Sequence, residues 1–376
     1  MIQIIKIIAF SGILVYIIFV IFLLFAWIYK KVFISASPKV DKSVSIVIAV
    51  RNEENTLPVL LRSLQNQVYP VENFEIILID DHSTDGSYVL MKKFETENKN
   101  TRVLSLSANE AGKKSAIRYG VECAKGELII TTDADCRMNP EWLSTIVSFQ
   151  QVTEAGLIIA PVAYLSNNSL FEKILALEFA SLVATGASSA NLGMPILCNG
   201  ANMAFLKSLY PKDKHIMENN SPSGDDIFFL LNVKKTMRQR IRFLKSFNSI
   251  VYTTCPSSLK DFINQRKRWY SKSVHYTDPE ILACGFLVSA ANFFLSLSIL
   301  FAFVFPSLLS FVLSIFLLKL LTDIIFLFPY LAFIRERQLI WLAPILEIVY
   351  PFYIFYVIIA ASIGQYSWKG REYRGK

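Results

Sequence analysis

The sequence has few of the residues on which several common classes of site depend. Its 376 residues include only five cysteines, at positions 123, 136, 198, 255 and 284, and no two of them have C-x-x-C spacing. Free thiols are therefore expected rather than disulfides or a zinc site. The three histidines, His82, His215 and His275, show no base–nucleophile arrangement. No G-x-G-x-x-G or G-x-x-x-x-G-K-S/T run follows the first predicted strand, which removes the usual dinucleotide-binding and P-loop signatures.

Charged residues are also scarce. They make up 18% of the chain, against 53% hydrophobic residues, and the mean hydropathy is +0.42. This composition is more apolar than that of an ordinary soluble domain, and the excess is concentrated at the two ends of the chain. The sequence therefore predicts a membrane protein with a soluble middle domain, residues 44–277.

The net charge of +8 is unevenly distributed along the chain. Basic residues cluster in one short stretch of the middle domain, at Lys234, Lys235, Arg238, Arg240, Arg242 and Lys245. A solvated surface and contact with anionic lipid headgroups both fit such a run, and the sequence leaves the two open.

The first apolar segment runs from Ile7 to Ile28 without a charge and is followed by Lys30-Lys31. A spanning helix needs about 20 apolar residues, whereas the core of a cleavable signal peptide has about 7 to 15. We therefore expect residues 1–31 to form an uncleaved anchor. By the positive-inside rule, the chain after Lys31 is expected to be cytoplasmic.

Three more apolar segments lie within residues 281–364. They run from Ile281 to Phe305, from Ser307 to Ile334 and from Ile340 to Gly364. If all three span, the basic tail, residues 365–376, lies outside the cytoplasm, against the positive-inside rule. If one is re-entrant or interfacial, the tail is cytoplasmic, and the sequence does not decide between these arrangements.

Ionisable residues interrupt the middle one of these three segments. Lys319 and Asp323 are four residues apart and so share one helix face. Charges at such depth are costly unless they are paired and face protein. A helix-packing pair is the favoured interpretation, and a role in acceptor passage is the alternative.

Strand-like and helix-like patterns alternate through the first part of the middle domain. The strand-like runs are Ser45–Val50, Phe74–Asp80, Arg102–Leu106 and Leu128–Thr132, and the helix-like runs are Glu53–Gln65, Tyr88–Thr96 and Ala111–Ala124. This alternation predicts an α/β fold with a mostly parallel sheet. Ligands of such sheets bind beyond the carboxyl ends of the strands.

Acidic residues stand at those strand ends. Asp80-Asp81 ends the second predicted strand, and Asp133 and Asp135 form a D-x-D after the fourth. Two carboxylates in this arrangement suit Mg²⁺ or Mn²⁺ bound to a diphosphate, although a D-x-D also occurs in ordinary acidic loops. Such an ion would neutralise charge on a departing nucleotide diphosphate.

A further acidic pair, Asp225-Asp226, precedes the apolar run Ile227 to Leu231. One interpretation is a helix start, where acids favour the positive end of the helix dipole. The other makes one carboxylate a general base that removes a proton from an acceptor hydroxyl. A carboxylate base is the simpler choice because the histidines offer no evident base.

Two helical stretches have features of a membrane boundary. Leu170 to Val183 has apolar periodicity with Glu172 and Glu178, which favours core packing or seating on a membrane surface, and an acceptor groove is the alternative. Gln265, Arg268 and Trp269 fall within one helical turn. They predict either an interfacial anchor or a closing element in which Arg268 meets a diphosphate and Trp269 offers a flat surface to a sugar.

The motif series as a whole resembles that of membrane-bound family 2 glycosyltransferases. The motifs are Ser45 to Glu53, Ile79 to Asp85, Gly112-Lys113, Asp133-Ala134-Asp135, Gly224-Asp225-Asp226 and Gln265 to Trp269. The resemblance covers the whole middle domain. It implies a GT-A fold, a nucleotide-sugar donor, and direct displacement with inversion at the anomeric carbon.

The resemblance also implies roles for individual residues. Donor-binding residues would be Ala49, Glu53, Asp80, Asp81, Lys113, Asp133 and Arg268. Asp133 and Asp135 would hold Mg²⁺ or Mn²⁺, and Asp226 would be the catalytic base. Residues on the acceptor side or in gating would be Gln265, Trp269 and Asp225.

Some positions depart from the family pattern. Ala49 stands where many relatives have proline, Asp225 replaces a usual glutamate, and Cys198 to Asn202 does not reproduce the acceptor motif of processive synthases. Single transfer from a UDP-sugar to a lipid-linked acceptor and processive synthesis of a polysaccharide therefore both remain open.

The expected partners follow from this interpretation. They are a nucleotide sugar, a lipid-linked or glycan acceptor and membrane lipids, with no nucleic acid, and an oligomer could supply further spans. A nucleotide-binding membrane transporter is a distant alternative, because no internal repeat of the kind usual in secondary transporters is visible.

Overall fold

The computed structural model describes residues 2–35, 42–165, 169–212, 224–363, 365–368 and 371–374, with side chains up to residue 360. His215, the residues directly before Gly224 and part of the basic tail lie outside the described residues. The strands are β1 Val44–Val50, β2 Phe74–Asp80, β3 Thr101–Ser105, β4 Leu128–Thr131, β5 Arg137–Met138, β6 Leu157–Ile159, β7 Val162–Leu165, β8 Met203–Leu206, β9 Ile241–Phe243, β10 Val251–Thr254, β11 Gln365–Trp368 and β12 Arg371–Arg374. The α-helices are α1 Ile2–Tyr29, α2 Leu57–Gln65, α3 Ser87–Glu97, α4 Lys113–Cys123, α5 Trp142–Thr153, α6 Leu170–Asn191, α7 Asp225–Met237, α8 Leu259–Ser271, α9 Pro279–Val304, α10 Leu309–Phe333 and α11 Ala343–Ile363.

The main sheet has seven strands in the order β3-β2-β1-β4-β8-β6-β9. β1 runs parallel to β2 and β4, whereas β8 is antiparallel to both of its neighbours. The strands at its centre are buried apolar runs, as expected for a parallel sheet covered by helices. The predicted α/β architecture with a mostly parallel sheet is confirmed, and the ends of β2 and β4 bring Asp80 and Asp133 to one edge.

A second, three-stranded sheet has the order β5-β10-β7. β10 is antiparallel to β5 and parallel to β7, with Thr253 opposite Tyr164. Because β5 follows the D-x-D turn, this small sheet lies directly beside the acidic edge of the main sheet.

Two helices begin later than the sequence patterns predict. The run from Glu53 becomes helical only at Leu57, because Thr56 and Leu57 donate their N–H groups to the Glu53 carbonyl at 3.0 and 2.8 Å and close a turn first. Pro58 in the first helical turn fits this start. The run from Ala111 becomes helical at Lys113, after Gly112, whose φ of 95° favours glycine.

The apolar ends of the chain form long helices. α1, α9, α10 and the segment Arg337–Ala360 are each long and apolar enough to cross a membrane. α1 packs against both α9 and α10. Large apolar side chains remain exposed on these helices, among them Phe22, Phe286 and Leu321. A bilayer would cover such surfaces.

Trp27 joins the membrane helices to the middle domain. Its ring lies 5.1 Å from that of Tyr330 and 5.2 Å from that of Phe333 on α10, and 6.1 Å from that of Phe243 on β9. The Lys245 ammonium donates to the carbonyls of Trp27 and Lys30 at 2.7 and 2.8 Å. A cation at these carbonyls complements the negative end of the α1 dipole.

Other members of the basic cluster also have partners within the protein. Lys234 pairs with Asp278 at 2.8 Å and with Glu280 at 2.7 Å, and Arg238 pairs with Glu280. Arg240 donates to the Glu154 carbonyl. Lys234 and Lys245 are buried and serve the packing of the protein, whereas Lys235 and Arg238 are exposed. Contact of the exposed members with anionic lipid headgroups stays a prediction.

The pair inside α10 belongs to a larger network. The buried Lys319 ammonium lies 2.9 Å from Asp323 and 2.8 Å from Glu347 of α11, and the Tyr16 hydroxyl of α1 donates to Asp323 at 2.7 Å. Three helices thus share one polar cluster within the apolar region. This arrangement supports the helix-packing interpretation.

Candidate active site

The turns after β1 and β2 are joined to each other. Arg51 donates from Nη1 to the carbonyls of Asp81 and His82 at 2.6 and 2.9 Å. Asn52 and His82 have φ values of 51° and 57°, in the left-handed region that is unusual for residues other than glycine. Such strained turns cluster at functional sites, and these two form the edge where a donor nucleotide is predicted to bind.

The acids that are predicted to bind the nucleotide accept hydrogen bonds within these turns. Asp81 is only 1% exposed, and its Oδ1 accepts from the Gly112 N–H at 3.0 Å. Asp80 accepts from the Ser83 N–H at 3.2 Å, and Glu53 accepts from the Thr56 hydroxyl at 2.7 Å. Ala49 lies in β1, half-buried, opposite Ile79. Contacts of these residues with a base and ribose stay a prediction.

The D-x-D turn is held by residues from two other elements. Lys113, at the start of α4, lies 2.5 Å from Asp133 Oδ1. Asp135 Oδ2 accepts from the hydroxyls of Thr253 and Thr254 at 2.8 and 2.6 Å. The structure therefore brings Lys113, predicted near the nucleotide, to the first D-x-D acid.

The donor set of this turn fits a divalent cation shared with a substrate. The two hydroxyl bonds to Asp135 fall on Oδ2, and Oδ1 has one long contact, with the Cys136 thiol at 3.8 Å. The Asp133 side chain is 33% exposed. Within the described ranges, no group of three or more His, Cys, Asp or Glu side chains forms a cation cage. Mg²⁺ in particular takes one or two carboxylates and completes its shell with phosphate oxygens and water.

Asp225 and Asp226 begin α7, after Gly224 with a φ of 94°. Asp226 accepts from the Gly200 N–H at 3.3 Å and lies 3.4 Å from the Lys272 ammonium. A Cβ built on Gly200 would lie 3.6 Å from both the Asp226 Cβ and the Lys113 Nζ. The Lys113–Asp133 pair and the second acidic pair therefore meet around Gly200.

The two acids of α7 have different electrostatic environments. Burial raises the pKa of a carboxyl, but for Asp226 the ammonium groups of Lys272 and Lys113 and two backbone N–H groups outweigh it and hold its pKa below the usual range. For Asp225, burial and the Asp226 charge prevail over Lys113, so its pKa is raised. Asp226 is thus ionised at neutral pH, the form that can accept a proton.

The motif Gln265 to Trp269 lies on α8. Ser258 caps this helix by accepting a hydrogen bond from the Asp261 N–H at 3.1 Å. Gln265 accepts from the Tyr164 hydroxyl at 3.0 Å, and the Trp269 ring lies 6.1 Å from that of Phe179 on α6. Arg268 is half-buried on the same helix, and its contact with a diphosphate stays a prediction.

The segment Cys198 to Asn202, which stands where processive synthases have an acceptor motif, has a structural role in this fold. Asn202 is fully buried, accepts from the Trp142 indole at 3.0 Å and donates to the carbonyls of Pro161 and Ser249. Asn199 accepts from the Ala201 N–H. These bonds explain why asparagines occur there, independently of any acceptor.

Sequence reasoning missed Thr253, Thr254, Tyr164 and Lys272. The threonines and the tyrosine are far from their partners in sequence and lie in strands that the motif pattern did not include. Lys272 had a usable signal, because it follows Arg268 by four residues and so shares its helix face.

Comparison with known proteins gives consistent matches. The family model described as Glycosyl transferase family 2 matches residues 45–209, and that described as Glycosyl transferase family group 2 matches residues 128–359. The undecaprenyl-phosphate 4-deoxy-4-formamido-L-arabinose transferase of Yersinia enterocolitica is 36% identical over 163 residues, 42% of this chain and 49% of the relative. The poly(ribitol-phosphate) beta-glucosyltransferase of Bacillus spizizenii is 32% identical over 116 residues, 31% of this chain and 18% of the relative. The chain thus spans about half the length of the first curated relative.

A solved structure shares the fold. The mannosyltransferase PcManGT from Pyrobaculum calidifontis, in complex with GDP-Man and Mn²⁺, aligns with a TM-score of 0.54 over 92% of this chain and 99% of its own, at 16% identity. The family group 2 match extends over more than half of the chain and includes the D-x-D turn, α7 and α8. This chain therefore belongs to glycosyl transferase family 2 and is a glycosyltransferase with a GT-A fold.

Proposed function

We propose that this enzyme transfers a sugar, with inversion, from a nucleotide diphosphate sugar to a lipid-linked acceptor at the cytoplasmic face of a membrane. The observation that carries the proposal is the meeting of Asp133, Lys113 and Asp226 around Gly200, beside α8. A donor-binding acid, a cation and an ionised carboxylate are thereby close enough to act on one donor–acceptor pair. The middle domain, residues 44–277, is the catalytic unit in this proposal.

The donor would bind along the acidic edge of the main sheet. Asp133 and Asp135 would hold Mg²⁺ or Mn²⁺, which when bound would neutralise charge on the diphosphate. Thr253 and Thr254 orient Asp135, and Lys113 places a positive charge where the leaving diphosphate would lie. UDP is the first nucleotide to test; the similar structure with GDP-Man makes GDP the second.

Asp226 would hold the proton of the acceptor hydroxyl as that oxygen attacks the anomeric carbon. The bond from the anomeric carbon to the diphosphate oxygen would break as the new glycosidic bond forms on the opposite face, which gives inversion. The ionised state of Asp226, maintained by Lys272 and Lys113, supports this role. The raised pKa of Asp225 makes it the weaker candidate for an ionised base.

The acceptor is proposed to be held at the membrane. Trp27 and Lys245 join the apolar helices to the middle domain, so the acidic edge cannot move far from the bilayer. The curated relatives named for undecaprenyl phosphate make a polyprenyl phosphate carrier the acceptor class to test first.

The contacts of α11 and β11 support a C-terminal tail on the same side of the membrane as the catalytic domain. The Tyr353 ring of α11 stacks on Phe262 of α8 at 5.5 Å, and β11 lies beside α8. If α11 crossed the bilayer fully, β11 would be expected far from a helix of the catalytic domain. We therefore propose that α11 is re-entrant or interfacial, in agreement with the positive-inside rule.

The proposal is tested by screening the purified protein in nanodiscs against UDP- and GDP-sugars, with Mn²⁺ or Mg²⁺, and with polyprenyl phosphates or native lipid extract. Metal-dependent release of nucleotide together with a lipid-extractable product of inverted configuration is expected. Product length decides between single transfer and processive synthesis. Glu97→Gln, an exposed acid of α3, is the control for Asp135→Asn. Retained anomeric configuration, or full activity of Asp135→Asn, would contradict the proposed mechanism.

A further inference from the structure

We infer that Glu178 and Arg266 are positioning residues that hold α8, and with it Gln265 and Trp269, in place over the active site. The inference rests on the proposed function, because it concerns how the acceptor side of that site is aligned. Neither residue is expected to touch the donor. Arg266 lies within the Gln265 to Trp269 motif without an assigned role, and Glu178 lies outside the motifs.

The two residues form a buried ion pair between α6 and α8. Arg266 Nη2 contacts Glu178 Oε2, and both side chains are 5% exposed. Of the α8 residues, all of which the structure describes, Phe262 and Arg266 are the buried ones. The other α8 residues are at least partly exposed, so the Arg266 side chain makes the buried ionic contact of this helix with α6.

The Arg266 guanidinium also packs against the ring of Trp269. The guanidinium carbon lies 4.2 Å from the centroid of Trp269 and 4.8 Å from that of Phe262. A guanidinium over an indole face is a favourable cation–π contact, and it fixes the orientation of the ring. The carboxylate of Glu178 therefore determines the position of Trp269 through Arg266.

The residue next to Glu178 contacts the same ring. Phe179 lies 6.1 Å from Trp269 and stacks on Tyr164 at 4.1 Å with an interplanar angle of 21°. The Tyr164 hydroxyl in turn donates to Gln265. Two adjacent residues of α6 thus hold the Gln265 to Trp269 motif: Glu178 pairs with the charge of Arg266, and Phe179 contacts the ring of Trp269.

Loss of either charge would leave the other unpaired in a buried place, which is unfavourable. Without Glu178, Arg266 is expected to turn toward solvent and leave the Trp269 face. Six of the seven proposed donor-binding residues lie in or just after β1, β2 and β4 or at the start of α4, and Arg268 lies on α8 itself. The acceptor side, which α8 aligns through Gln265 and Trp269, should therefore be disturbed more than donor binding.

The test compares Glu178→Gln, Arg266→Gln and the double variant in nanodiscs, with KM and kcat measured separately for donor and acceptor. Acceptor kcat/KM is expected to fall about 10- to 100-fold, as for small misplacements of a substrate-aligning group, and donor KM is expected to change less than acceptor KM. The double variant is expected to be no worse than the poorer single variant, since the residues act as a unit. Lys234→Gln, which removes a similarly buried ion pair with Asp278 and Glu280, is the matched control.

A second readout does not depend on activity. The protein has five tryptophans, and incorporation of 5-fluorotryptophan gives signals from which that of Trp269 is assigned by Trp269→Phe. Glu178→Gln is expected to shift the Trp269 signal, and Lys234→Gln is not. If the wild type transferred no sugar but this shift occurred, the proposed function would fail and the positioning role would stand. An unchanged Trp269 signal, or an unchanged acceptor KM and kcat in an active enzyme, would overturn the inference.

Discussion

Thr253 and Tyr164 are opposite each other on the parallel strands β10 and β7, and each donates its hydroxyl to a different part of the active site. Thr253 bonds to Asp135 of the D-x-D turn, and Tyr164 bonds to Gln265 of α8. One cross-strand pair therefore fixes the spacing between the proposed metal-binding acid and the helix on the acceptor side. The small sheet sets the distance between the donor and acceptor halves of the site.

Removal of both threonine hydroxyls should weaken metal binding. In Thr253→Val with Thr254→Val, Asp135 loses the two bonds that orient it, while side-chain volume is nearly unchanged. The Mn²⁺ concentration for half-maximal donor binding is expected to rise about 10- to 100-fold, the usual cost of losing such supporting bonds. Thr236→Val on α7 removes a hydroxyl that bonds only to its own helix and serves as the control. An unchanged Mn²⁺ requirement in the double variant would show that Asp135 does not hold the ion.

The pH dependence of transfer should respond to Lys272. Its ammonium helps to keep the pKa of Asp226 low against the effect of burial, so Lys272→Gln raises the pKa of Asp226. The ionised base is then lost at a higher pH as the solution is acidified. The acidic limb of kcat/KM is therefore expected to move to higher pH. The profile of Lys260→Gln, an exposed lysine at the start of α8, should match the wild type. An identical acidic limb in Lys272→Gln would argue against Asp226 as the titrating base.

The attachment of α1 should depend on Lys245. Lys245→Met removes two charge-assisted hydrogen bonds to the last carbonyls of α1 and the contact with the Trp27 ring at 4.0 Å. A bond of this kind contributes about 1.5–3 kcal/mol, so a lowered melting temperature in detergent is expected. Lys235→Met, an exposed neighbour on α7, should melt as the wild type does. Equal melting temperatures for the two variants would contradict the capping role.

The network around Lys319 should behave as a packing unit. Lys319→Met leaves Asp323 and Glu347 without their cation and is expected to destabilise the helices by about 3–5 kcal/mol. The triple variant with Asp323→Asn and Glu347→Gln should recover most of this loss, because no unpaired charge remains. Thermal unfolding in detergent measures both effects. A triple variant that is stable but inactive would favour acceptor passage instead.

The central fold could be predicted from sequence because its signals are local. β1, β2 and β4 are short apolar runs that end in turns with acids, and their parallel pairing brings Asp80 and Asp133 to one edge. The helix at Asp225 follows from glycine and two acids before an apolar run. Each of these features is visible in a stretch of about ten consecutive residues.

The rest depends on pairings between distant segments, which no local pattern reveals. Glu178 and Arg266 are 88 positions apart, and Tyr16 and Asp323 are 307 apart. Thr254 gives no sign in the sequence that its hydroxyl reaches Asp135. The helix from Glu53 was predicted too early, because its periodicity does not reveal the turn that the Glu53 carbonyl closes.

The most direct test of the account is the rate of sugar transfer by Asp226→Asn, measured beside the binding of the donor. Asparagine keeps the shape of the side chain and cannot accept the acceptor proton. Transfer is expected to fall about 10²- to 10⁴-fold, the usual contribution of a general base, while the donor binds as tightly as to the wild type. Transfer at the wild-type rate would show that Asp226 is not the base.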